Sequence, residues 1–116
     1  MNELKNAALE ILADRHPEAI PVIENLQKKH KELYLYFFTE DEFFIYRPLS
    51  RLEYKELVAQ YGDKEELAEQ IVLKGVLYPQ ITPQQLNDMK AGIVPTLLEL
   101  ILSVSQFGVQ NPVIKL

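Results

Sequence analysis

Phe43–Leu57 reads FFIYRPLSRLEYKEL, and the order of its residue types sets the architecture on either side. Phe43, Phe44, Ile45 and Tyr46 are aromatic or β-branched and favour an extended strand. Pro48 cannot donate to a strand ladder, so the strand ends beside it. Ser50 and Glu53 then match S-x-x-E, a capping box in which each side chain satisfies the other residue's backbone N–H at a helix start. Strand becomes helix with no spacer, so Arg47, Pro48, Ser50, Arg51, Glu53 and Tyr54 form a predicted structural corner. Arg47 and Arg51 have the fork geometry to grip a phosphate or a partner carboxylate. The expected use is pairing with the chain's own acids.

Upstream, ELYLYFFTEDEFFIYR has two aromatic runs around Thr39-Glu40-Asp41-Glu42, which predicts a β-hairpin with a four-residue loop. Alternation normally leaves one face polar, but here Leu35 and Phe37 point opposite to Tyr34, Tyr36 and Phe38, and both faces are apolar or aromatic. An isolated hairpin is marginal in water and has two open edges. Either the chain's own helices cover one face and the tyrosine hydroxyls reach solvent on the other, or a partner or second copy adds to a face or edge. Tyr34, Tyr36, Phe38, Phe44 and Tyr46 are therefore candidate partner-binding residues.

Before the hairpin, Leu4, Ala8, Ile11 and Leu12 share one face of a helix that Asn2 can cap and that ends near Arg15, ahead of Pro17. A second helix carries Ala19, Ile20, Ile23 and Leu26, with Pro17 or Pro21 in its first turn and Lys28, Lys29, His30 and Lys31 at its end. After the corner, Tyr54, Leu57, Val58 and Tyr61 face inward and Gly62 follows the helix. Asp63 with Glu66 caps a further helix running towards Tyr78, in which Gly75 permits close approach of another backbone. Thr82, Pro83 and Gln85 start a short helix with Leu86 and Met89 inward. The last helix, from Ile93 to Gln106, has two apolar stripes and Glu99 as its only charge, so it must be buried nearly all round or leave one stripe as an interface. Leu97, Leu100, Val104 and Phe107 complete the candidate partner-binding set. Gly108 ends the helix, and Val113, Ile114 and Leu116 in the tail dock on the same chain or on a neighbour.

The expected fold is α+β and mostly α, one domain over residues 1–116. Residues 1–32 form two helices, 33–47 one hairpin, 48–108 a bundle of three to four helices, and 109–116 a tail. The 116 residues suffice for one core. Apolar content of 47% and charged content of 25% are ordinary globular values. A net charge of −5 argues against nucleic acid and anionic membrane as partners. The chain has no cysteine, which excludes disulfides, thiol catalysis and thiolate metal sites. No apolar run suggests a membrane span or signal peptide. His16 and His30 lack metal-ligand spacing, and no nucleophile elbow, phosphate loop or dinucleotide fingerprint is present. Glu40, Asp41 and Glu42 lack the calcium-loop pattern and read as a solvated turn. No catalytic residue, metal or cofactor is expected.

The same residues resemble a family. FIYRPLSRLEYKEL, EELAEQIV, VLYP and AGIVPTLLELILSVSQFG together look like tail assembly chaperones or tail accessory proteins of tailed bacteriophages. The pattern is an aromatic strand into R-P-L-[ST]-R-x-E-Y, then L-Y-P, then A-G-[IV]-P before an apolar helix. Here it falls on Arg47, Pro48, Leu49, Ser50, Arg51, Glu53 and Tyr54, then Leu77, Tyr78 and Pro79, then Ala91 and Gly92. The likeness covers residues 43–108. It departs where an extra residue separates Gly92-Ile93 from Pro95 and where the ending is Phe107-Gly108 rather than Gly-Phe. The resemblance implies a non-enzymatic protein of the host cytoplasm that shields the tape-measure or another tail protein during assembly. The alternative it leaves open is a permanent virion subunit of the tail, baseplate or neck.

Overall fold

The computed structural model describes residues 2–62, 65–106 and 113–116. Its elements run α1 (Asn2–Arg15), α2 (Ala19–Lys29), β1 (Tyr34–Thr39), β2 (Glu42–Tyr46), α3 (Arg51–Tyr61), α4 (Glu65–Gly75), β3 (Val76–Tyr78), α5 (Pro83–Asp88), α6 (Ile93–Val104) and β4 (Ile114–Lys115). The fold is α+β and mostly helical, as the residue pattern predicts. The proposed caps by Asn2 and Asp63, and the roles of Phe107 and Gly108, lie outside what is described.

The hairpin is the middle of a four-stranded antiparallel sheet of order β3-β2-β1-β4. Tyr34 pairs with Tyr46 and Phe37 with Phe43, then the register shifts between Phe37 and Thr39. Glu42 already belongs to β2, so the connection is tighter than the expected four-residue loop. The Thr39 hydroxyl accepts from the backbone N–H groups of Asp41 and Glu42, at 3.2 and 3.0 Å, and holds this turn.

Both apolar faces are covered by the chain itself, whereas the expected self-cover left the tyrosine face to solvent; Tyr46 is instead fully buried. Leu33, Leu35, Phe43 and Ile45 pack with Ala8 and Leu12 of α1 and Ala19 and Ile23 of α2. On the opposite face Tyr34, Phe44 and Tyr46 join Leu57 of α3, Ile71 and Val72 of α4, Leu86 of α5 and the inner stripe of α6. The sheet is thus the middle layer between a helical pair and a helical group. Leu35 and Ile45 are fully buried, and each such aliphatic side chain contributes about 1.5–3 kcal/mol.

Two segments depart from the sequence reading. The expected helix towards Tyr78 stops at Gly75, and Val76–Tyr78 turns into an edge strand, with Ile45 opposite Tyr78 and Tyr46 opposite Val76. Pro79 disfavours helical geometry at Tyr78, and the unpaired backbone of β2 rewards an extended neighbour. The tail docks in cis. Lys115 and Ile114 pair with Tyr34 and Leu35, and the Leu116 N–H donates to the Leu33 carbonyl at 2.8 Å.

Capping chemistry sets the helix boundaries of the second half. Ser50 with Glu53 and Thr82 with Gln85 form complete capping boxes. Gly62 ends α3 with φ +63°, a conformation that suits glycine. Gly75 serves a different need. A Cβ there would lie 2.6 Å from Ile101 Cδ1 and 3.1 Å from its Cγ1, so the missing side chain lets α6 seat Ile101 against α4. The close approach expected at Gly75 is real, but it is made by a side chain rather than by a backbone. Gly75→Ala is expected to destabilise the fold by about 1–3 kcal/mol through overpacking. Urea denaturation of that variant and of the double variant Gly75→Ala/Ile101→Val checks this, with the smaller partner expected to recover part of the loss.

Candidate functional site

The predicted corner is built as the residues dictate. Glu53 Oε1 accepts from the Ser50 N–H at 2.9 Å, and Ser50 Oγ accepts from the Glu53 N–H at 3.1 Å. The same carboxylate takes a two-pronged bond from Arg47, with Nη1 at 2.9 Å from Oε1 and Nη2 at 2.8 Å from Oε2. Arg47 and Glu53 side chains are only 18% and 26% exposed, so this pair is screened less than a surface one. The Arg47 guanidinium holds the Glu53 carboxyl well below its usual range, down to about 2, with help from the Ser50 N–H. The corner also ties distant helices together. The Arg47 N–H donates to the Gly75 carbonyl at 2.9 Å, and the Leu49 N–H donates to Ser105 Oγ at 2.9 Å. Arg47 is thus an internal staple. Arg51 is not: it is exposed and makes no ion pair among the described residues.

The candidate partner-binding residues divide differently from expectation. Tyr34, Phe44, Tyr46, Leu97, Leu100 and Val104 are all 8% exposed or less and belong to the chain's own core. That corrects their assignment as binding residues, because the helical layer occupies the face they were expected to offer. Tyr36 and Phe38 are half-buried against the same cluster, with ring centroids 4.9 Å apart and edge-on. On α6 the buried stripe is Ile93, Leu97, Leu100, Ile101 and Val104, whereas Val94, Leu98 and Leu102 are only half-buried. Of the second expected stripe, Val94, Leu98, Ile101 and Leu102, Ile101 is fully buried too, and the part left half-covered is Val94, Leu98 and Leu102. The sequence could not rank two equally apolar stripes.

Two features escaped the sequence reading. The turn of the hairpin is tied to the end of α1, with Arg15 Nε 2.8 Å from Glu40 Oε2 and Nη1 3.1 Å from Asp41 Oδ1. His16 Nε2 donates to the Glu40 carbonyl at 2.9 Å, and its ring lies 4.8 Å from that of Phe43. Exposed pairs of this kind orient more than they stabilise. Beside them a groove of about 630 Å³ opens between this turn, β3 and α5. Its parts come from four separate stretches of chain, so no local spacing announces it.

Among the described residues no group of three or more His, Asp or Glu side chains is arranged to hold a metal ion, and no helix is long and apolar enough to cross a membrane. No protein-family model, curated protein or solved structure matches the chain.

The lowered Glu53 carboxyl has a defined pH signature. Its stabilising contribution is fully present above the ordinary carboxylate range, near pH 4.5, and is lost as pH falls towards 2. The full shift corresponds to roughly 3 kcal/mol, which solvent screening of a quarter-exposed side chain reduces to about 1–2 kcal/mol. Glu53→Gln is expected to lower stability by that amount at pH 7, and urea titrations should show the gap to the parent closing between pH 4.5 and pH 2. Tyr46 supplies a second test. Its ring is fully buried, its hydroxyl has no hydrogen-bond partner among the described residues, and burial pushes its ionisation upward. Tyr46→Phe keeps the ring and removes a desolvated hydroxyl, so the melting temperature should stay level or rise.

Proposed function

We propose that this chain is a non-enzymatic tail assembly protein of a tailed bacteriophage, a chaperone-like binder of the tape-measure protein or another tail protein in the host cytoplasm. The half-buried stripe Val94, Leu98 and Leu102 on α6 is the observation that carries this reading. The adjoining face of the same helix is committed to the core and the stripe packs against that core from its edge, so its uncovered part is what α6 offers to an apolar segment of another protein. The resemblance of residues 43–108 to tail assembly chaperones adds the identity of the partner. Pro95 and Glu99 are exposed next to the stripe and form its solvent-facing margin.

The test is co-expression with neighbouring tail genes, affinity capture and mass measurement, for the parent and for Leu98→Gln/Leu102→Gln. The parent should retain a tail protein, and the double variant should lose at least tenfold of that capture while keeping its circular dichroism. Undiminished capture by a folded double variant would remove the stripe from the interface. Failure of the parent to capture any tail protein would remove the function. A fixed number of copies in purified particles would assign the chain to the permanent virion subunits instead.

A further inference from the structure

We infer that the groove between the hairpin turn, β3 and α5 docks a cationic peptide segment of a partner protein, one that carries lysine or arginine beside aliphatic side chains. This inference rests on the reading of the chain as a protein binder and specifies the chemistry of what is bound.

The floor of the groove is apolar. Phe43 and Tyr78 lie 6.0 Å apart at their ring centroids, and Ile81 and Met89 are half-buried beside them. A floor of this kind accepts aliphatic side chains and the methylene stems of lysine or arginine. The rim is acidic. Glu18, Glu42 and Asp88 line it from the α1–α2 connection, β2 and α5 respectively. None of the three has a lysine or arginine nitrogen within 4.0 Å among the described residues. Glu18 has only His16 nearby, at 3.7 Å. Asp41, also on the lining, is already paired with Arg15 and adds little. Lys90 is the single lysine or arginine of the lining. Guanidinium groups answer only three carboxylates among the described residues, Glu53 at Arg47 and Glu40 and Asp41 at Arg15. Most other carboxylates of the described residues also lack a lysine or arginine partner; what sets Glu18, Glu42 and Asp88 apart is that all three border one apolar groove. Carboxylates at the margin of an apolar depression select a cationic ligand more by rejecting wrong charges than by raw affinity. The groove also runs beside β3, the outermost strand on that side of the sheet, so an extended segment can lie along it.

The test uses the whole protein and three fluorescein-labelled peptides: Gly-Leu-Lys-Ala-Lys-Leu-Gly, the same peptide with glutamate for lysine, and the same peptide with serine for leucine. Fluorescence anisotropy should show the leucine–lysine peptide binding at least tenfold more tightly than either counterpart, and more weakly as salt rises. Glu42→Gln/Asp88→Asn should weaken it by about five- to tenfold, whereas Glu99→Gln, on the exposed side of α6, should not. Equal affinity for the lysine and glutamate peptides would overturn the proposal, as would undiminished binding by the double variant. A dimer in sedimentation that the double variant dissolves would overturn it too, because a second copy would then fill the groove. Peptide binding without capture of any tail protein sinks only the tail-assembly reading, and capture without peptide selectivity sinks only this one.

Discussion

A two-stranded hairpin with aromatic or aliphatic side chains on both faces cannot stand in water, and the rest of this molecule answers that constraint. Leu35, Phe43 and Ile45 need one cover, and Tyr34, Phe44 and Tyr46 need another. The helical pair α1–α2 supplies the first and the group α3–α6 supplies the second. The edges pose a separate problem, since each leaves a row of unpaired backbone groups. β3 closes part of one edge and β4 part of the other. Two short segments far apart in the chain, residues 76–78 and 114–115, thereby meet on a single sheet.

The relative placement of the two covers depends on the corner from Arg47 to Glu53. One carboxylate there closes a helix cap and clamps the guanidinium at the end of β2. The backbone on either side of Pro48 reaches the end of α4 through Gly75 and the end of α6 through Ser105. A short polar network thus fixes the ends of three helices against a strand. Energy comes mainly from the two apolar clusters, and direction comes from the corner.

Two chemically distinct surfaces among the described residues bear on binding. One is the outer stripe of α6, apolar and half-covered. The other is the groove beside β3, with an apolar floor and carboxylates that lack cationic partners. They would suit different parts of a ligand under the function proposed above. Tyr34, Phe44 and Tyr46, the aromatic residues that first suggest a binding face, are spent on the fold itself.

Local chemistry was legible wherever the determining residues are neighbours in sequence. The boxes at Ser50–Glu53 and Thr82–Gln85, the stop at Pro48, the glycine after α3 and the hairpin all follow from short-range rules of backbone geometry and capping. So did the mostly helical α+β class. The fate of Val76–Tyr78 was not legible, because an apolar run at the end of a helical pattern becomes a strand only when an unpaired edge lies beside it. The choice between the two stripes of α6 was equally hidden, since both are apolar and only the neighbouring helices decide which one is covered. The tail, the groove and the orientation of the rim carboxylates required contacts between residues far apart in the chain. The sequence by itself determined where elements begin, end and must be buried, because those are local free energies. The tertiary structure alone decided which apolar surface is used up and which is left over, because that depends on what else competes to cover it.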